Sequence, residues 1–517
     1  VSGAPDARTL RDLVLDPGSW RSWDAPVDTG HLPAAYAAEL ARAAQRSGQD
    51  EAVTTGEGLL RGRRVAVLAG EFGFLGGSIG VAAAERLVTA VERATEEGLP
   101  LLAAPVSGGT RMQEGTVAFL QMIGITAAIA RHKEAGLPYL VYLRDPTFGG
   151  VLASWGSLGH VTIAEPGAAI GFLGPRVYRA LYGEPFPEGV QTAEHLAERG
   201  LIDAVVPNSE IAELADRALR VLAARQTWHK DVADAERPTR EDGTDAGLGG
   251  DDGTDGRSAW DVVTASRRAD RPGVRGLLRT AATDVVGLSG TGAGEKDPGL
   301  LLALARFGGA PCVVLGQDRR GQSMSAPLGP GALREARRGM RLAAELRLPL
   351  VTLIDTPGAA LSQEAEEGGL AAEIARCLAD LVMLRAPTLA VLLGQGTGGG
   401  ALALAPADRV LAAANGWLGP LPPEGASAIV HRTVDRAGDM AAHQGVRATD
   451  LWRAGIVDRV VPERPDAADE PVEFCRRLGR VLGEELAGLL GRDDGERFRT
   501  RLHRYRHLGR RGSPTIR

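Results

Sequence analysis

Short apolar runs recur along this chain, each closing on glycine and then on small or amphipathic residues. Residues 65–69, 139–143, 311–315 and 389–393 are aliphatic runs, too short for buried helices, and they read as buried strands. Residues 81–97 alternate polar and apolar positions with the period of an amphipathic helix. Residues 10–20 read as a short helix ended by Pro17-Gly18, and residues 33–49 are polar and helix-forming. The small-residue stretches after Gly150 and at 402–407 predict helices packed closely on the preceding strands. Strand and helix alternate to about Pro207, the rhythm of a layered α/β fold.

Two glycine loops dominate this pattern. Gly394-Gln395-Gly396-Thr397-Gly398-Gly399-Gly400-Ala401 follows one apolar run, and Asp145-Pro146-Thr147-Phe148-Gly149-Gly150 follows another. Glycine there permits a sharp turn and lets backbone N–H groups approach a ligand that a Cβ would block. A helix N-terminus at such a turn aims unpaired N–H groups and a positive dipole end at a phosphate or a developing oxyanion. The correspondence extends outward. Leu99-Pro100-Leu101-Leu102 leads to Ser107-Gly108-Gly109-Thr110-Arg111, as Leu348-Pro349-Leu350-Val351 leads to Asp355-Thr356-Pro357-Gly358-Ala359. Downstream, Gly200-Leu201-Ile202-Asp203 through Pro207 matches Gly455-Ile456-Val457-Asp458 through Pro462. Four landmarks in one order indicate two homologous domains, each with two glycine loops. An acidic stretch rich in Gly, Asp and Thr divides them and reads as a solvated linker. The expected boundaries are 1–228 for the first domain, 229–258 for the linker and 259–517 for the second domain.

The length of 517 residues suffices for two or three domains with real cores. A net charge of −6 argues against general nucleic-acid binding. Cys312, Cys377 and Cys475 make neither a disulfide framework nor a CxxC metal site, which suits a reducing, cytoplasmic setting. No leader pattern opens the sequence and no apolar run is long enough to span a membrane. The Arg-rich stretch 497–517 reads as a solvated helix face and frayed tail, with a basic arm as the alternative.

Several motifs need weighing. Gly76-Gly77-Ser78-Ile79-Gly80 satisfies G-x-S-x-G but has no identifiable His and acid partners, so a tight turn is expected. Gly394, Gly396 and Gly399 satisfy G-x-G-x-x-G, yet Asn415-Gly416-Trp417 stands where a dinucleotide site wants an acid. An anion or oxyanion site is the better reading. His160, His195 and His431 lack metal-ligand spacing and read as surface or packing residues. Glu366 and Glu367 suit a helix start, and Arg334, Arg337, Arg338 and Arg341 suit either phosphates or a solvated helix face.

The first half, through Gly70-Glu71-Phe72, residues 107–114 and Gly171-Phe172-Leu173-Gly174-Pro175, resembles the carboxyltransferase β subunit of bacterial acetyl-CoA carboxylase. The second half, through Ile354-Asp355-Thr356-Pro357-Gly358-Ala359, residues 394–401 and Pro423-Glu424-Gly425-Ala426-Ser427, resembles the α subunit. The resemblance implies a β–α fusion of two homologous crotonase-like (ClpP/crotonase) α/β domains built from ββα spiral units. It implies carboxyl transfer from N-carboxybiotin to an acyl-CoA, with acetyl-CoA as the default. Two oxyanion holes of backbone amides then suffice, and losing one good donor costs on the order of 3 kcal/mol in the barrier. By the family's pattern one hole lies at Gly149/Gly150 with help from Gly108/Gly109, and the other at Gly399/Gly400 with help from Gly358/Ala359. Gly398, Thr356 and Pro357 are expected to support binding there. Arg111 stands either near CoA or biotin or as a brace for its loop. The resemblance further implies a separate biotin carboxylase, a separate biotin carrier protein and a homodimer or higher assembly of dimers. The pattern departs in four places: no CxxC is present, so no zinc is expected; the α subunit's N-terminal helical region is largely missing, replaced by the linker; Gln395 and Thr397 replace the usual Glu and Gly; and Gln317-Asp318-Arg319-Arg320-Gly321-Gln322-Ser323 replaces a Lys-rich segment. A biotin-independent decarboxylase or hydrolase, and a non-catalytic scaffold, are the competing readings.

Overall fold

The computed structural model describes residues 6–30, 32–109, 111–224, 256–323 and 327–507. Thr110 and all but the last three positions of the expected linker that follow Ala224 lie outside this set. The chain forms two compact units, Val1–Ala223 with Leu288–Gly294, and Ala224–Gly287 with Glu295–Arg517.

The first unit is built on a seven-stranded sheet: β1 (Arg21–Ser22), β2 (Val53–Leu60), β3 (Arg63–Gly70), β4 (Leu101–Ala104), β5 (Tyr139–Leu143), β7 (Val161–Ala164) and β9 (Ala204–Val205), in that order. Strands β6 (Thr147–Phe148) and β8 (Ile170–Gly171) form a separate parallel pair. The first three strands pair antiparallel and the rest parallel. The β2–β3 hairpin turns at Arg61-Gly62, with φ of 48° and 81°, the left-handed pair whose twist matches the flanking strands. Parallel neighbours require crossovers, supplied by helices Val81–Glu96 and Gly115–Glu134. Every residue of β5 is buried, which is why 139–143 reads as an unbroken apolar run.

The second unit repeats the plan with β10 (Thr283–Leu288), β11 (Leu300–Phe307), β12 (Ala310–Gln317), β13 (Leu350–Thr356), β14 (Thr388–Gly396), β15 (Arg409–Ala413) and β16 (Arg459–Val461). Its β11–β12 hairpin turns at Gly308-Gly309, again with two positive φ values, 55° and 82°. Strands β12 to β16 run parallel. Each unit has its own core: Leu68, Ile125, Tyr139 and Trp155 in the first, and Val314, Leu353, Phe474 and Leu482 in the second. Burying each such side chain contributes about 1.5–3 kcal/mol. The expected fold class, two crotonase-like α/β domains, is the one observed, and matched strand orders carry the repeat.

Three expectations are corrected. The stretch after Gly150 forms turns and a 3₁₀ segment, Trp155–Ser157, in place of a helix. There the Ser154 hydroxyl bonds the Gly150 carbonyl at 2.5 Å, competing with a helical backbone partner. In the second unit the helix starts earlier and spans only Gly398–Leu402, cut short ahead of Pro406. The Arg-rich helix Asp494–His507 has a solvated face, as expected, but its other face is docked, and the expected frayed tail lies outside the described residues. Arg497 and Arg501 are 3% and 1% exposed and reach Asp408 at 2.8 and 2.9 Å. They also donate to the carbonyls of Arg385, Leu381 and Leu384, beside the C-terminus of helix Leu370–Met383.

Candidate active site

In each unit two glycine loops leave adjacent parallel strands at their C-terminal ends. The first loop follows β4 or β13 and is held by one hydroxyl. Ser107 Oγ accepts the Gly109 N–H at 3.0 Å and meets the Gly109 carbonyl at 3.1 Å. Thr356 Oγ1 accepts the Gly358 N–H at 3.1 Å and meets the Gly358 carbonyl at 3.0 Å. Gly109 and Gly358 sit at φ 130° and 139°, a region open to glycine and costly for other residues. The register is therefore Ser107 with Thr356, and Gly109 with Gly358.

The second loop is aligned by the same means. Phe148 pairs in parallel with Gly171, and Thr397 with Gly419. Gly149 N–H donates to the Gly171 carbonyl at 3.2 Å, and Gly398 N–H to the Gly419 carbonyl at 2.9 Å. Gly149 and Gly398 both adopt left-handed backbone, φ 68° and 61°. Gly150 thus corresponds to Gly399, and Gly400 to Val151, one position away from the pairing expected from the sequence. The two loops lie against each other. A Cβ on Gly149 would stand 3.3 Å from Gly109 Cα, and one on Gly400 would stand 3.4 Å from Ala359 N.

Which amides remain available follows from this network. Gly108 N–H is engaged by the Gly76 carbonyl at 2.7 Å, and those of Gly109 and Gly358 by their hydroxyls. Pro357 has no N–H at all. Among the described residues Gly150 and Ala359 have no acceptor for their N–H groups. Gly399 and Gly400, in the first turn of their helix, have no acceptor further back in it. Of the expected helper residues, Gly108, Gly109 and Gly358 thus shape the first loops while Ala359 presents a donor. Such converging N–H groups can bind an oxyanion or a carboxylate.

Side chains that brace the second unit's loops escape the motif reading. Gln317, wholly buried, donates to the Gly400 carbonyl at 2.7 Å and accepts Asp355 N–H at 3.0 Å. Gln322 donates to the Asp355 carbonyl at 3.1 Å and meets the Thr356 hydroxyl at 2.6 Å. The Asp355 carboxylate accepts Gln395 N–H at 3.1 Å, and a Cβ on Gly394 would collide with it at 2.4 Å. Burial raises the Asp355 pKa, against the opposing charge of Arg319 at 3.5 Å. The sequence signals are slight: Gln317 closes an aliphatic run, and both glutamines lie in the segment that replaces the family's Lys-rich one.

Arg111 is 1% exposed. It forms a bidentate pair with buried Glu51, donates to the Ser78 carbonyl at 2.6 Å and lies 3.6 Å from Glu114. Burial disfavours its charge, but the Glu51 carboxylate more than offsets this and raises its pKa. Arg111 braces the segment behind the first loop. Ser78 follows a 3₁₀ turn, Leu75–Gly77, so the G-x-S-x-G match is a turn. His160 is a buried packing residue whose Nδ1 accepts Tyr139 N–H at 3.0 Å. Arg334 and Arg337 pair with Glu373 and Asp380 on the neighbouring helix, so these two are committed to ion pairs, while Arg341 is exposed.

The chain matches the carboxyl transferase domain family over residues 3–485. It is 60% identical over 500 residues to a probable biotin-dependent acyl-coenzyme A carboxylase beta3 subunit of Mycobacterium tuberculosis, covering 97% of this chain and 98% of that protein. It is 38% identical over 525 residues to the acetyl-coenzyme A carboxylase carboxyl transferase subunits beta/alpha of Salinispora tropica, covering 98% and 91%. In fold it is similar to the transcarboxylase 12S hexamer, with TM-score 0.70 at 22% identity, covering 91% of this chain and 89% of that one. A single-chain, multi-domain long-chain acyl-CoA carboxylase gives TM-score 0.70 at 19% identity, covering 94% of this chain and 46% of that one. The chain therefore belongs to the carboxyl transferase domain family, as a carboxyltransferase of the biotin-dependent acyl-CoA carboxylases.

Proposed function

We propose that this protein moves a carboxyl group from N-carboxybiotin, presented by a separate carrier protein, to acetyl-CoA or a close homologue. Carboxybiotin supplies carbon dioxide and, after its loss, the base that removes the proton beside the thioester carbonyl. The chain's own part is electrostatic. Gly150 N–H in the first unit is offered to the thioester oxygen as the enolate forms. The N–H groups of Ala359, Gly399 and Gly400 in the second are offered to the ureido oxygen. Fixed amides of this kind need no reorganisation as charge develops. The observation that carries the reading is the duplication: both units hold the same hydroxyl-locked turn beside a left-handed glycine with an unengaged N–H next to it.

The substrate is tested by supplying labelled bicarbonate, ATP, biotin carboxylase and carrier protein with acetyl-, propionyl- or butyryl-CoA. Label is expected in malonyl-CoA or its homologue, and the preferred thioester names the substrate. Consumption of malonyl-CoA without carrier, with no transfer of label, would replace this reading by a biotin-independent decarboxylase.

A further inference from the structure

A cavity of about 240 Å³ in the second unit contains none of the glycine-loop residues. The N-terminal turns of helices Val274–Ala281 and Pro471–Leu490 meet there with the loop that leaves β12 at Asp318. Both helix ends present partial positive charge. Arg275, Arg279, Arg319 and Arg320 add four guanidinium groups to the walls.

The local carboxylates do not balance them. Asp318 accepts Arg275 Nε at 2.5 Å and the Arg320 backbone N–H at 3.2 Å. Asp270 is held bidentately by Arg268. Arg319 donates to the Ser266 carbonyl and faces Asp355, and Arg271 is buried against Glu463 and Asp466. The exposed guanidinium groups of Arg279 and Arg320 are left without an ion pair among the described residues. Arg279 and Cys475 both line the cavity.

We propose that this cavity binds a phosphate-bearing anion, with a diphosphate as the best match to two unpaired guanidinium groups. Arginine presents a planar fork of donors suited to phosphate oxygens. Thr280 lines the same cavity, as does Gly273, the N-cap of helix Val274–Ala281. The ligand's source is either the diphosphate of CoA or a free phosphorylated metabolite. The site stands independently of the carboxyl-transfer reading.

Inorganic pyrophosphate titrated calorimetrically into the full chain at constant ionic strength tests this. Saturable binding is expected, weakened at least tenfold in the Arg279→Gln/Arg320→Gln pair, because a charged hydrogen bond is worth about a tenfold step. Both side chains are exposed, so the paired variant should keep the wild-type melting temperature, which verifies that it folds. Lysine at both positions should restore part of the affinity, since charge returns without the fork. Heat that never saturates, or equal affinity in wild type and the glutamine pair, would overturn the assignment. Displacement of pyrophosphate by CoA would identify the thioester carrier as the source. Binding undisturbed by CoA would identify a free phosphorylated ligand.

Discussion

Ser107 and Thr356 are the residues on which each site's first loop turns. Removing the Thr356 hydroxyl leaves the Gly358 N–H unpaired and frees a neighbour of the donor at Ala359. Thr356→Val should cost about 1 kcal/mol in stability. Because the loss concerns positioning, kcat should fall while KM changes little, and Thr356→Ser should restore most of kcat. Steady-state kinetics of the three proteins decide it, and an unchanged kcat in the valine variant would remove Thr356 from this role. A second residue-scale prediction concerns acid. His132 is wholly buried, faces the Thr95 hydroxyl at 2.9 Å, and burial lowers its pKa to about 4. Above pH 6.5 it is neutral in both the folded and unfolded chain. As the pH falls from 6.5 towards 4, the unfolded chain takes up a proton that the folded one resists, and stability is lost over that window. The full effect is about 3 kcal/mol. Urea melts of wild type and His132→Gln should diverge from each other between those pH values, with the variant the flatter; parallel curves would contradict the linkage.

At the scale of elements, the strands were legible because buried parallel strands read as plain aliphatic runs. The glycine loops were legible because turn and close approach demand glycine. Their register was not. Gly398-Gly399-Gly400 offers three consecutive glycines, and sequence alone cannot tell which one takes the left-handed position that Gly398 holds through its bond to the Gly419 carbonyl. The buried glutamines were hidden for a similar reason, since Gln317 works through backbone atoms more than 30 residues away in sequence. The Arg-rich helix misled more directly. A charge run usually faces water, yet Asp408 sits beneath this one and pairs two of its arginines. Asp408→Ala would leave Arg501 buried without a carboxylate and Arg497 with Asp494 alone, at a cost of about 3–5 kcal/mol. Differential scanning calorimetry should show a marked fall in Tm, and a drop of a degree or less would argue that the helix is held by packing alone.

Over the whole molecule, one architectural plan is used twice, and the repeat was the most secure thing the sequence carried. Four matched landmarks foretold two homologous domains with the same pair of loops, and the structure adds the same strand order and the same hairpin turn. We propose that the exposed apolar row Val117, Phe119, Leu120 and Ile123 on helix Gly115–Glu134, larger than scattered surface hydrophobes, is covered in the homodimer or higher assembly that the family resemblance implies. Light scattering should give a mass of at least two chains, and a monomer at micromolar concentration would refute that proposal. In the proposed reaction backbone amides, not a side-chain acid or base, stabilise the transition state. The most direct test of this compares Gly399→Pro with Gly399→Ala in transfer of labelled carboxyl from carrier-bound carboxybiotin to acetyl-CoA. Proline in the first helical turn is tolerated yet removes the N–H, whereas alanine keeps it and controls for the added Cβ. A loss of about 10²–10³ in kcat is expected for proline and a much smaller one for alanine. Equal rates in the two folded variants would contradict it.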